Sequence, residues 1–267
     1  MGNEWAMMVF AALSTLAAGL STALAYGEWN SLRVTPLVKF ALVAFAGLIA
    51  GFVFLLLSLG RPQLIMGVLS NPTSSIFPMA MLSASSALLL AVYGLLQYRG
   101  AEWRVMRILA ALCALSTLGL LTATGSAMMM PWKAAWNTAL IPAVFIGYYI
   151  TGALLSVQIL CRACGREIRT GAGTVALGVL SAVPMLLYLI YLGKNGLAGG
   201  FIQFFSQDPR TVIWAAAAIA GIVLPLAVLR RTRSTVLKIA ALAGLVTGAA
   251  AFHCAVFLIG MPGAEIF

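Results

Sequence analysis

One histidine, four cysteines and six carboxylates are the residues of this 267-residue sequence best suited to proton, metal or redox chemistry. His253 stands alone, and a haem held inside a membrane by two axial imidazoles needs a second histidine, which argues against a cytochrome b-type site. A single imidazole can instead hydrogen-bond a quinone headgroup, or be satisfied by a neighbouring carbonyl or hydroxyl. Cys161-Arg162-Ala163-Cys164 is a CxxC pair. Zinc would require two further Cys or His ligands, and Cys113 and Cys254 lie within other apolar segments, where they cannot converge on it. A redox role or a pair of reduced loop cysteines remain the readings of that motif. No cysteine spacing suits an iron–sulfur cluster, and no phosphate loop, nucleophile elbow or metalloprotease motif occurs. The acids Glu4, Glu28, Glu102, Glu167, Asp208 and Glu265 all fall in loops, tails or the ends of apolar segments. Proton pumps and coupled transporters usually carry intramembrane carboxylates as relays, so this placement argues against that class.

The elements that must position these residues are long apolar helices. The sequence is 63% hydrophobic and 8% charged, with a mean hydropathy of +1.05. Soluble domains are about 25% charged, and so few charges cannot coat a water-soluble fold. The class is therefore all-α and polytopic. Eight spans of adequate length can be read: Met7–Tyr26, Pro36–Leu59, Ser75–Tyr98, Met106–Met130, Asn137–Leu160, Ala172–Gly193, Val212–Arg230 and Leu237–Gly260. They leave little outside the membrane, so residues 1–267 read as one integral-membrane domain. Ala23-Leu24-Ala25 resembles a signal-peptide cleavage site, but no cation precedes the first span, so that span is expected to be retained.

Charge orients the bundle. Arg33, Lys39, Arg99, Arg104, Arg107, Arg162, Arg166, Arg169, Arg230, Arg231, Arg233 and Lys238 fall on one side; Arg61, Lys133, Lys194 and Arg210 fall on the other. Twelve against four assigns the first side to the cytoplasm and both termini to the outside. The net charge of +10 is thereby a topology signal with contact to membrane lipid, and no nucleic-acid footprint is present. The six tryptophans fall near span ends, as an aromatic belt requires. Pro78, Pro142, Pro184 and Pro225 fall inside spans and are expected to kink them. Gly47/Gly51 and Gly244/Gly248 form GxxxG pairs suited to close helix contact.

Three outer loops, 60–74, 131–136 and 194–211, exceed what a connection needs. Phe204 and Phe205 within Phe201-Ile202-Gln203-Phe204-Phe205, flanked by Arg210, suggest protein docking, with Arg61 on the neighbouring loop. Re-entrant packing on the bundle is the alternative.

At these loops the sequence resembles a known family. It is similar to the DmsC-like membrane-anchor subunits of dimethyl sulfoxide reductase-type molybdoenzyme complexes, and more distantly to NrfD/PsrC-like anchors. The likeness rests on Glu4-Trp5-Ala6-Met7-Met8-Val9-Phe10, on Leu59-Gly60-Arg61-Pro62 with Leu69-Ser70-Asn71-Pro72-Thr73-Ser74-Ser75, and on Gly248-Ala249-Ala250-Ala251-Phe252-His253 through Gly260-Met261. The resemblance implies an eight-helix anchor in the bacterial cytoplasmic (inner) membrane, not catalytic alone. It would hold a four-cluster iron–sulfur subunit and a molybdopterin catalytic subunit on the outer side. It would bind and oxidise menaquinol near that face, pass the electrons to the iron–sulfur subunit, and bind no cofactor or metal of its own.

The sequence departs from the family pattern at the polar positions. Ser58 stands where the family has His, Ala80 where it has an acid, Leu245 and Ala249 where it has Glu and Arg, and His253 where it has Tyr. On this resemblance Ser58, Arg61 and His253 are the expected quinol-binding residues, with Phe77, Met79 and Met81 as apolar walls. Oxidising a quinol releases protons that a positioned base normally receives. A purely structural anchor, or an unrelated small transporter bundle, therefore stays open beside the quinol-oxidising anchor.

Overall fold

A computed structural model describes residues 4–60, 63, 65–129, 135–166, 171–194, 209–231 and 234–260. These are helical with short connections and contain no strand. The helices are α1 (Glu4–Trp29), α2 (Val34–Ser58), the short α3 (Ile65–Ser70), α4 (Ile76–Tyr98), α5 (Trp103–Ser126), α6 (Leu140–Ala163), α7 (Ala172–Leu192), α8 (Pro209–Arg231) and α9 (Thr235–Gly260). All but α3 contain a run long and apolar enough to cross a membrane, giving eight candidate spans. The protein is a multi-pass helical bundle. Helices satisfy every internal backbone group within the segment, which a hydrocarbon surrounding demands.

Helix α1 is the axis of the bundle. It packs against α2, α5, α6 and α9, and two-thirds of its span is buried, against less than a third for α7 and α8. Its composition explains this position. Ala11, Ala17, Ala18, Gly19 and Ala23 let neighbouring backbones approach closely, which is how helices associate where water supplies no drive between them. A Cβ on Gly19 would lie 3.0 Å from the backbone of Gly152 on α6. Around the axis, α2, α4 and α5 close one flank, while α7, α8 and α9 join α6 on the other. Met8 clusters with Cys254 and Leu258, so the start of α1 and the end of α9 share one face of the bundle. The large side chains left exposed on the outer helices, such as Leu42, Leu88, Ile108, Leu180 and Leu224, form the lipid-facing surface expected of spans.

Two packing expectations are corrected and one is met. Pro78 and Pro142 occupy the first turns of α4 and α6, where the missing N–H has no intrahelical acceptor to lose, so they start helices rather than kink them. Pro184 and Pro225 do lie within α7 and α8. The Gly244/Gly248 pair makes the expected close helix contact: a Cβ on Gly248 would lie 2.5 Å from the Cα of Gly221 on α8, and one on Gly221 3.2 Å from the Gly244 carbonyl oxygen. Trp136 is not in the aromatic belt. It is 3% exposed and its Nε1 donates to the Val256 carbonyl at 2.7 Å, whereas Trp29 and Trp103 are 62% and 55% exposed.

Candidate functional site

The described candidate residues stand on different helices. His253 lies on α9, which packs on α1, α6 and α8; Ser58 ends α2, which packs mainly on α1 and α4. Helix α1 is the principal element common to both. His253 is 4% exposed, and its Nδ1 has no hydrogen-bond partner among the described residues. Its helix neighbours Phe252, Cys254 and Val256 are all buried. Ser58 is half-buried, and its hydroxyl donates to the Leu55 carbonyl at 2.6 Å, the local back-bond a serine makes when no other acceptor is in reach. Arg61, Phe204 and Phe205 lie outside the described residues, as does the side chain of Arg210.

A cavity at this end of the bundle lies between α4 and α5. A cleft of about 670 Å³ opens between α4 and α5, lined by Ser75, Pro78, Leu115, Leu118, Gly119, Thr122, Ala123, Ser126 and Ala127. The geometry follows from small residues. Gly119 and Ala123 leave α5 without bulk opposite the first turns of α4, and the nearest atom to a Cβ on Gly119 is a Leu82 methyl at 3.6 Å. Because α4 and α5 are consecutive crossing helices, Ser75 and Ser126 mark the rim, while Leu115 lies about three turns deeper. The rim supplies hydroxyls and the walls are aliphatic. Beyond the cleft a seam of serines joins the helices, with Ser116 2.7 Å from Ser86 and 3.3 Å from Ser85. Small hydroxyl side chains of this kind bond across membrane helices without separating them. Met79 is fully buried, Met81 exposed and Phe77 half-buried, so the expected apolar walls do not form one surface.

The polar contacts of the other flank serve the bundle itself. Tyr148 donates toward the carbonyls of Ala218 at 2.7 Å and Gly248 at 3.0 Å, bridging α6 to α8 and α9. Tyr188 reaches the Ala135 carbonyl at 3.1 Å. Phe252 meets Phe145, Tyr148 and Tyr188 ring to ring at centroid separations of 5.6–6.2 Å. These four rings form a buried aromatic plug between α6, α7 and α9.

At the opposite, cation-rich face the sequence left an arrangement unread. The Tyr93 hydroxyl donates to Glu28 Oε1 at 2.6 Å, Arg107 Nε donates to the Glu28 carbonyl at 3.1 Å, and the Arg107 guanidinium lies over the rings of Trp103 and Trp29 at 4.4 and 5.6 Å. This ties the end of α1 to α4 and the start of α5. A Glu closing a span, with a Tyr near the end of another, was the visible signal; their pairing depends on which helices are neighbours.

Cys161 and Cys164 are both buried at the end of α6, and their backbones form its closing turn. No group of three or more His, Cys, Asp or Glu side chains comes together among the described residues. Ala80, Leu245 and Ala249 are all buried in the bundle interior. No protein-family model matches this sequence, and no curated protein matches it. The fold and the cleft thus define a class, a multi-pass helical membrane protein with a lateral cleft between two spans.

Proposed function

We propose that this chain is the membrane-anchor subunit of a dimethyl sulfoxide reductase-type anaerobic respiratory complex in a bacterial cytoplasmic membrane. In this reading both termini face outside. The anchor holds an iron–sulfur subunit and a molybdopterin catalytic subunit on the outer side, takes menaquinol from the lipid and passes its electrons outward. The observation that carries the quinol part is the cleft between α4 and α5. Its volume of about 670 Å³ falls within the range of small-molecule sites. Its walls suit a ring and an isoprenoid tail, and Ser75, Thr122 and Ser126 offer hydroxyls to a headgroup. By the charge bias the Ser75 rim faces outside, on the side of the proposed partners. In this reading Ser75, Thr122 and Ser126 line the headgroup site in addition to the expected Ser58, Arg61 and His253, and Ser58 and Arg61 stand on the chain leading toward Ser75.

A second reading, the purely structural anchor, draws on a specific observation. No carboxylate or imidazole lines the cleft, and His253, Ala80, Leu245 and Ala249 are enclosed by the bundle. Such an anchor would hold its partners without receiving protons from quinol.

The experiment is affinity purification from anaerobically grown cells, mass spectrometry of the partners, and menaquinol-dependent turnover by the recovered complex. Gly119→Trp and Ala123→Trp fill the cleft. Intact partner recovery with turnover reduced at least tenfold is the expected result. Full turnover in both variants rules out the cleft as the quinol site, partner recovery without menaquinol-dependent turnover in the parent selects the structural anchor, and recovery of no iron–sulfur or molybdenum partner sinks the anchor reading altogether.

A further inference from the structure

A second cavity, of about 340 Å³, lies at the cation-rich face between the start of α2 and the end of α6, lined by Arg33, Thr35, Pro36, Lys39, Phe40 and Ala163. Its origin is visible in the packing. Gly27 of α1 admits the side chains of both Leu37 and Leu160, so α2 and α6 converge on α1 there. They touch one another only slightly, and beyond Leu37 and Leu160 a gap remains. Arg33 and Lys39 are exposed at this gap, and neither has a carboxylate partner among the described residues. Helix α2 starts at Arg33 without a side-chain cap and without an acid in its first turn, so its opening N–H groups add positive potential rather than offset it.

Polar and apolar groups are sorted in the cavity. Thr35 and Lys39 stand one helical turn apart, and so do Pro36 and Phe40 on the adjacent row. Above them Leu42 and Val43 continue as exposed apolar surface along α2. A fitting ligand carries negative charge at the membrane boundary and a hydrocarbon body directed along the helix. A free anion would leave the apolar half unused, and a neutral lipid would leave two cations without a carboxylate partner among the described residues.

We propose that this cavity binds the phosphate of an anionic glycerophospholipid. Arg33 and Lys39 pair with the phosphate oxygens, the Thr35 hydroxyl donates to one of them, and Pro36 and Phe40 pack against the glycerol and first acyl carbons. Lys39 lies more than a turn inside the helix and reaches back along its own stem to the boundary, as long basic side chains do. Arg33 supplies a planar fork suited to two phosphate oxygens at once. The site is independent of the quinol cleft, which lies at the other face.

The test uses the full chain, delipidated in a neutral detergent and titrated with dioleoylphosphatidylglycerol under native mass spectrometry. The expected result is one tightly held lipid. The double variant Arg33→Gln/Lys39→Gln weakens it at least tenfold, while the charge-preserving Arg33→Lys/Lys39→Arg retains most of the affinity. The control Arg99→Gln/Arg104→Gln removes equal charge from the same face and leaves binding unchanged, and dioleoylphosphatidylcholine does not compete. Undiminished binding by Arg33→Gln/Lys39→Gln overturns the site. An equal loss in the control overturns it as well, reducing the effect to general surface charge. Displacement of the lipid by millimolar inorganic phosphate overturns the lipid assignment in favour of a free anion.

Discussion

The two flanks of the bundle use polar side chains in opposite ways. In the flank formed by α6 to α9, the hydroxyls of Tyr148 and Tyr188 and the indole N–H of Trp136 donate to backbone carbonyls deep in the interior. In the flank formed by α2, α4 and α5, the strong polar contacts sit at the cation-rich end, around Glu28, Tyr93 and Arg107, and only serines join the helices within. The first flank contains Gly221 against Gly248 and a plug of four aromatic rings. The second borders the cleft between α4 and α5 and the cavity beside Arg33 and Lys39, whereas the cavity lined by Met185, Ala218 and Phe252 in the first flank holds only about 20 Å³. In a membrane a helix pair gains from close fit and shared hydrogen bonds, not from escape from water. The flank where both are concentrated should be the rigid one, and the flank where they are sparse is where a lipid-soluble ligand can enter.

The largest expected effect breaks the rigid flank. Gly248→Ala places a methyl against the Gly221 backbone, which cannot step aside as a side chain would. Separating α8 from α9 should cost about 3 kcal/mol or more, read as a lower midpoint in detergent-titrated unfolding and loss of the monodisperse species. Tyr148→Phe comes next. It removes one donor shared between the Ala218 and Gly248 carbonyls, and should cost about 1–2 kcal/mol in the same titration.

On the other flank, Tyr93→Phe removes the donor to Glu28, whose half-buried carboxylate can turn to water. A loss of about 0.5–1 kcal/mol is expected. Should Tyr93→Phe cost more than Tyr148→Phe, the contrast between the flanks is reversed. The smallest effect belongs to Gly119→Trp. The ring fills a cleft open to lipid, so stability should stay within about 0.5 kcal/mol of the parent while cleft-dependent turnover falls. A large destabilisation there would mean that the cleft closes in the membrane, and would remove the basis for a ligand site on this flank.

Much of the fold was legible because the bilayer imposes one simple requirement on each segment separately. Twenty or so mostly apolar residues must run with few charges, and the eight segments meeting that test match the eight candidate spans to within a few residues. What sequence reading missed was relational. Trp136 sits near a span end and reads as a belt residue, yet the fold turns it inward to Val256. Pro78 and Pro142 read as kinks because the apolar runs extend past the helix starts. Gly244 and Gly248 were legible as a contact motif, but that their partner is Gly221 on α8 was not.

The same division applies to the sites. Composition and span length determined by themselves that this is an all-helical membrane bundle, since hydrocarbon tolerates no unpaired backbone and few charges. Periodicity could not say which helix faces which, because spans that are apolar on every side carry little amphipathic signal. Tertiary structure therefore decided that α1 is the axis, that His253 is enclosed by the bundle, and that small residues on α5 open a cleft against α4. It also decided that Arg33 and Lys39, two cations among the twelve on one face, line a shared cavity beside α6. Close approach between helices is set by the fit of whole surfaces, and that fit is a property of pairs that no single segment contains.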